Sequence, residues 1–161
     1  MEILTKWKAK AFIHLWLHDN SAFYYSSISD WLSYPVIAIS SCSSAALFIS
    51  NKYTVNIVVG VLSLINAVLT SVNRQMNPAA ITQQHSTMSK KYNNFIRSID
   101  TCLTLPEKMR PHPSVFIERL GIEIDTLAEN GLSHPSGVVK QFELIFGPCL
   151  LYTSDAADDT P

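Results

Sequence analysis

Five histidines are the first place to look for chemistry in this chain. His14, His18 and Asp19 form His-x-x-x-His-Asp on a segment that reads as helix. Two histidines four apart share a helix face and can share a metal ion. Leu15 follows His14, so the glutamate of the metalloprotease motif is missing, and no third ligand is evident. Packed or surface histidines are therefore expected, with no metal site and no cofactor. His85 and Tyr92 fall in one apolar stripe and are expected in a seam between cytoplasmic helices, His85 hydrogen-bonded to a neighbour. Cys42 and Cys102 lack a second cysteine at metal-binding spacing and read as small apolar residues. There is no Gly-x-Ser-x-Gly elbow, no glycine-rich phosphate loop and no pair of carboxylates with a site around it. No catalytic residues are assigned, and the chain is not expected to be an enzyme.

A second polar series lies inside an apolar run. Asn56, Gly60, Ser63, Asn66, Thr70 and Asn73 follow one another at steps of four, three, three, four and three, one side of a helix. In lipid, an amide or hydroxyl facing hydrocarbon is costly, so such a stripe must face protein or water. Two uses stay open. The stripe is a packing seam, with Gly60 allowing close approach and Asn66 bonding a neighbour, or it lines an aqueous path when several copies assemble. Ser33, Ser40 and Ser44 share a face of the preceding apolar segment and suit either use.

The elements carrying these residues decide the class. Residues 31–51 and 53–73 are two stretches of 21 residues without charge, separated by Lys52. As helices each would span roughly 31 Å, against about 30 Å of bilayer hydrocarbon. Pro35 is tolerable as a first-turn proline of the first span. The pair reads as a transmembrane hairpin, with helices at about 32–51 and 53–73 and a minimal turn at Asn51, Lys52 and Tyr53. The rival is a buried helical hairpin in a soluble bundle. No signal peptide is expected ahead of it. Arg74, Lys90 and Lys91 lie beyond the second span, while the turn offers only Lys52, so both termini are expected in the cytoplasm.

The flanks read as further helices. Residues 2–29 place Leu4, Trp7, Ala11 and Leu15 near one face. Residues 78–104 carry Ile81, His85, Met88, Tyr92, Phe95 and Ile99 at spacings of three and four. Residues 113–130 carry Phe116, Leu120, Ile124 and Leu127, with Asn130-Gly131 as a stop. A last helix is expected over about 136–147. The fold class is all-α, a single domain over residues 1–148.

Composition agrees. Of 161 residues, 47% are apolar and only 16% charged, against about 25% in soluble domains. Disorder is excluded as the main state. A net charge of −1 excludes a strongly basic nucleic-acid binder, and no nucleic-acid partner is expected. Residues 149–159, which read CLLYTSDAADD, are similar to one frame of a transposon-derived sequencing adapter. The natural chain is therefore expected to be represented only as far as Pro148, with its own C-terminus not given, and 149–161 is set aside.

A helix, a two-span hairpin and long cytoplasmic helices form a distinctive plan. Together with Pro78-Ala79-Ala80-Ile81 through Gln84-His85, Tyr92, Ile96 and Ile99, and with Leu132-Ser133-His134-Pro135, this plan resembles the SLATT family, the two-transmembrane effector domain associated with SMODS and SLOG proteins. The first run is similar to that family's post-membrane Ala…His…Tyr helix. The second is similar to its proline break before the final helix. Trp7 is present, but the family's expected N-terminal arginines are lysines or missing. The resemblance implies a membrane effector of conflict or defence systems. Such a protein would assemble as a homo-oligomer in contact with lipid, respond to a nucleotide-sensing partner, and perturb or perforate the membrane. A non-conducting anchor that displays its cytoplasmic helices is the alternative.

Overall fold

Helix breakers are sparse in this sequence, and most of them stand where helices end. The computed structural model describes residues 2–46 and 52–154, with side chains over 2–45 and 55–147. Its order is α1 (Glu2–Ala46), α2 (Lys52–Met76), α3 (Pro78–Thr104), a 3-10 turn (Glu107–Met109), α4 (Pro113–Glu129) and α5 (Ser136–Ser154). Among the described residues every regular element is helical, as the all-α class requires.

The punctuation has local causes. Asn77 separates α2 from α3 with φ of 41°, a left-handed conformation that asparagine tolerates better than most residues. The following Pro78 disfavours the right-handed helical region at Asn77 and then opens α3. The Asn77 carbonyl accepts from the Ala80 and Ile81 amides, starting the new ladder. At its other end α3 is capped by Arg110, whose Nε donates to the Leu105 carbonyl at 2.8 Å and Nη2 to that of Leu103 at 2.9 Å. Orphan carbonyls at a helix end are thus met by a cation, the favourable pole for that charge. Pro113 starts α4 at its first turn. Asn130 and Gly131 end it, the Asn130 side chain donating to the Thr126 carbonyl at 2.7 Å.

Two expectations change. No break separates a helix ending near 29 from a span starting near 32; α1 runs unbroken for 45 residues with Pro35 in its interior. Proline there removes one ladder donor, but the residues around it are otherwise compatible with helix. Lys52 and Tyr53, expected in the turn, begin α2; Asn51 lies outside the described residues. In addition, α5 extends to Ser154, past the expected end and into the adapter-like string.

The chain divides into two compact units: Met1–Ala22 with Gln83–Pro161, and Phe23–Thr82. The first has a core of Leu4 and Ala11 from α1, Met88, Tyr92, Phe95 and Ile99 from α3, and Phe116, Leu120, Ile124 and Leu127 from α4. These are the stripes that the spacing predicts. Val138 and Phe142 bury the start of α5, and Trp16 meets the Phe142 and Phe146 rings at 5.4 and 5.7 Å. A Cβ on Gly121 would stand 3.4 Å from the Trp7 ring, ordinary contact.

The second unit is the later part of α1 and α2. On α2 the half-buried residues are Val55, Val59, Leu62, Asn66, Leu69 and Asn73, alternating steps of four and three. On α1 they include Ser29, Leu32, Val36, Ile39 and Ser43, with the same alternation. Each is a narrow helix-packing seam. Asn66 Nδ2 donates to Ser40 Oγ at 2.9 Å and joins the two helices. Off the seam, Ile57, Val58, Val61, Leu64, Ile65, Val68 and Val72 are exposed.

Core truncation should register strongly in the first unit. Phe95→Ala is expected to cost about 3–5 kcal/mol, because its ring is fully buried and the cavity cannot collapse completely. Gly121→Ala should stabilise by up to about 1 kcal/mol through helix propensity, since the added methyl fits beside Trp7. Denaturant unfolding of the detergent-purified chain measures both, and equal midpoints for the two variants would contradict the packing described.

Candidate functional site: a buried histidine cluster

Three of the five histidines meet in the first unit. His18 comes from α1, His85 from α3 and His134 from the break between α4 and α5. One potential ligand nitrogen of each lies within 4.8 Å of the others. The α3 stripe turns His85 inward with Met88 and Tyr92, leaving it 1% exposed, while His18 is fully buried one helical turn past His14. His134 arrives because Asn130-Gly131 stops α4 and Pro135 precedes α5, so the intervening chain can lie over the helices.

The imidazoles touch directly. His18 Nδ1 and His85 Nδ1 are 2.9 Å apart, so one of the two carries the shared proton when nothing else lies between them. The His134 ring stands edge-on to His18 with centroids 4.5 Å apart, and lies 5.7 Å from His85. Ser21 Oγ is 3.1 Å from His134 Nδ1. Tyr92 stacks on His18 at 5.6 Å and on His14 at 5.2 Å. His18 Nε2 is buried without a hydrogen-bond partner.

Burial decides the protonation state. It pushes His18 down to about 3, with repulsion from His134, His85 and His14 adding to it. Burial also lowers His85, and it lowers His134, where the His85 and His14 charges act in the same direction. His14 is lowered by burial and by Lys10. Tyr92 is raised by burial and stays a phenol. The cluster is therefore a set of neutral nitrogen donors, the form that can hold a divalent metal ion.

The spacing of His14 and His18 does not make the cluster; His14 is a stacking partner of Tyr92, and His18 meets histidines 67 and 116 residues away. His85 and Tyr92 are both buried, and a neighbour of His85 is another histidine. His134 is the residue that sequence reasoning missed. Its only signal is its position in Leu-Ser-His-Pro, between two helix breaks.

The polar stripe of α2 divides in two. Asn66 and Asn73 are on the half-buried seam, while Asn56, Gly60, Ser63 and Thr70 are exposed. At about 100° per residue, Asn66 and Asn73 fall roughly 80–100° around the helix from Asn56. Ser63 Oγ donates to the Val59 carbonyl at 2.8 Å, and nothing lies within 4 Å of a Cβ placed on Gly60. On α1, Ser33 is half-buried and Ser40 accepts from Asn66. Ser44 Oγ donates to the Ser40 carbonyl at 2.9 Å. Asn66 Oδ1 and Ser43 Oγ are buried without partners.

A depressed histidine makes stability fall with acid. Between pH 6.5 and the folded value near 3, His18 is protonated in the unfolded chain and neutral in the folded one. Unfolding then takes up a proton, so the contribution of His18 to stability is highest above pH 6.5 and declines below it by about 1.4 kcal/mol per pH unit. Denaturant unfolding of chelator-treated protein between pH 7.5 and 4.5 should show this decline. A flat profile would mean that the imidazoles are not held neutral.

Comparison with protein-family models, with curated proteins and with solved structures finds no match.

Proposed function

We propose that this chain is an integral membrane protein whose α2 and later α1 insert as a hairpin, and that it acts as a SLATT-like effector, oligomerising to perturb the membrane. The observation that carries membrane insertion is the surface of α2. Among the described residues, one helical stretch, within Val55–Thr104, is long and apolar enough to cross a bilayer; its 18-residue window has a mean hydropathy of 2.1 and none of it is buried. Leu64 is 71% exposed and Val68 63%, a poor surface for water and a good one for lipid. The later part of α1 is less apolar because Ser33, Ser40, Ser41, Ser43 and Ser44 dilute it, and Leu47, Phe48 and Ile49 fall outside the described residues. Its place in the proposed hairpin rests on the Asn66–Ser40 bond and the matching seams. With Ser40 opposite Asn66 in an antiparallel pair, Trp31 and Tyr34 reach the level of Arg74. Both aromatics are exposed, at 79% and 67%, the kind of side chain that collects at a membrane interface. Arg74, and Lys90 and Lys91 that follow it in sequence, favour cytoplasmic termini.

Oligomerisation is suggested by what the hairpin seam leaves outside. Asn56, Gly60, Ser63 and Thr70 form an exposed small and polar face on a helix otherwise covered with aliphatic side chains. In lipid such a face is best placed against another copy, either packed dry or enclosing water. Two helices cannot enclose water alone, so any conducting path needs several copies. A second reading, a non-conducting anchor, is favoured by a different observation: Ser63 satisfies its hydroxyl within its own helix, and Asn66 spends its amide on Ser40. Nucleotide-triggered assembly through a partner protein rests on the family resemblance alone.

Expression of the chain in bacteria with a depolarisation dye tests the effector reading. Rapid depolarisation is expected, and the triple variant Asn56→Leu, Ser63→Leu, Thr70→Leu should abolish it at equal membrane level. Asn66→Leu should instead weaken the hairpin by about 0.6 kcal/mol, the average for an intramembrane hydrogen bond. Protein that stays in alkali-washed membranes without depolarising them supports the anchor. Protein released by the alkaline wash contradicts both readings.

A further inference from the structure

The geometry points to a transition-metal site formed by His18, His85 and His134, with Zn²⁺ as the fitting ion. This inference concerns the first unit and does not depend on what the hairpin does in a membrane.

Three observations converge on it. First, the donors come from three separate elements, α1, α3 and the break before α5, and still bring one nitrogen each to within 4.8 Å of the others. Around tetrahedral zinc with Zn–N of about 2.0–2.1 Å, neighbouring nitrogens stand roughly 3.4 Å apart. Small side-chain rotations close the difference, and the shortest pair, at 2.9 Å, needs only to open slightly.

Second, the cluster is incompletely satisfied by itself. His18 is fully buried, yet its Nε2 has no partner and its Nδ1 must share one proton with His85 Nδ1. Buried polar atoms are ordinarily paired; an ion on the Nδ1 side would take that lone pair and fix Nε2 as the N–H, so Nε2 is the outer nitrogen of the ring and not a ligand. A cation accepts lone pairs from every ring at once, which no choice of tautomers can do here.

Third, one ring already has an orienting partner. Ser21 Oγ holds the Nδ1 side of His134, so its Nε2 is the nitrogen available for a ligand bond. Histidines at metal sites characteristically bond an outer partner through the second nitrogen, which fixes tautomer and ring orientation. Ser21 is fully buried and three residues from His18 on α1, so this support is as well fixed as the ligand itself.

The donor chemistry selects the metal. Three neutral imidazoles suit Zn²⁺, Cu²⁺, Ni²⁺ or Co²⁺ and offer nothing to Mg²⁺ or Ca²⁺, which take oxygen. Burial keeps the three rings neutral near pH 7, so metal would enter with little proton release. The role that follows is a cross-link. One ion would tie α1 to α3 and fasten the His134 break over both, stabilising this unit only while metal is bound.

The test uses the untagged full chain, purified in detergent and stripped with chelator. Zn²⁺ should bind once per chain and raise the melting temperature, and Mg²⁺ should not. Co²⁺ should give the visible bands of a low-coordinate site without thiolate charge transfer, since Cys42 and Cys102 are outside the cluster. X-ray absorption on the zinc-loaded wild type should count three imidazole nitrogens. His134→Ala, chosen because that residue is only partly buried and lies outside the helices, should lose the stabilisation by zinc. Ser21→Ala should weaken binding roughly tenfold. His14→Ala and His112→Ala should leave it unchanged. Absence of stoichiometric binding by the wild type, binding that survives His134→Ala, or a ligand shell containing sulfur would each overturn the assignment. The wild-type absorption measurement decides the matter even if a histidine variant fails to fold.

Discussion

The first unit depends on the burial of a single face of α3. Met88, Tyr92, Phe95 and Ile99 are each at most 5% exposed, and they meet apolar residues of α1 on one side and α4 on the other. Burial of each large side chain contributes about 1.5–3 kcal/mol, so this one stripe outweighs the surface ion pairs of the unit. Lys8 and Asp100 approach to 2.6 Å, but both are more than two-fifths exposed, and such pairs contribute about 0–1 kcal/mol. The same stripe includes His85. A titratable ring is held inside because its position in the helical repeat leaves it no other direction to point.

If the second unit lies in lipid, as proposed, it follows the opposite solvation rule. Its seam is narrow, and the aliphatic side chains off the seam have no protein cover. In water this arrangement would leave the apolar surface of α2 as a standing cost; in lipid it costs nothing, and the polar atoms become the expensive ones. Hydroxyls that turn back onto their own helix suit that proposal. Ser41, Ser44 and Ser63 all donate to the carbonyl four residues earlier, which hides a donor without needing a neighbour. Asn66 cannot do this completely. Its amide crosses to Ser40, while its carbonyl oxygen is left unpaired.

Much of the architecture was legible in residue spacing, because helix periodicity is a local property. The stripes on α1, α3 and α4, the start of α3 at Pro78 and the stop at Asn130-Gly131 all follow from patterns within one or two turns. The continuity of α1 was not legible, because Pro35 looks like a boundary to any local rule, and only the whole helix shows that it is tolerated. The two-part α2 stripe was blurred by its steps of three, which drift about 60° backwards at each step until the later asparagines reach the seam. The histidine site was hidden for a stronger reason. His18, His85 and His134 are joined by packing between elements, and neither spacing nor periodicity carries information at separations of 49 and 67 residues. His14, the partner that spacing suggested, is on the right helix one turn too early.

Packing alone does not account well for three converging imidazoles. A buried seam wants volume without unsatisfied polarity, and leucine or phenylalanine supplies it at no desolvation cost. Histidine brings two nitrogens per ring, one a donor and one an acceptor when neutral, and each must be met. Two histidines in contact can share one hydrogen bond, worth about 0.5–1.5 kcal/mol net, while an unpaired buried nitrogen costs about 1–3 kcal/mol. The third ring adds further polar atoms to the same small volume, and Ser21 meets only one of them. As an apolar core, then, this corner is worse than its neighbours a turn away, where Phe95 and Ile99 are fully buried without any such debt. The arrangement becomes favourable when a single cation takes the three inward lone pairs. The outer nitrogens then become N–H donors, and Ser21 stands beside that of His134.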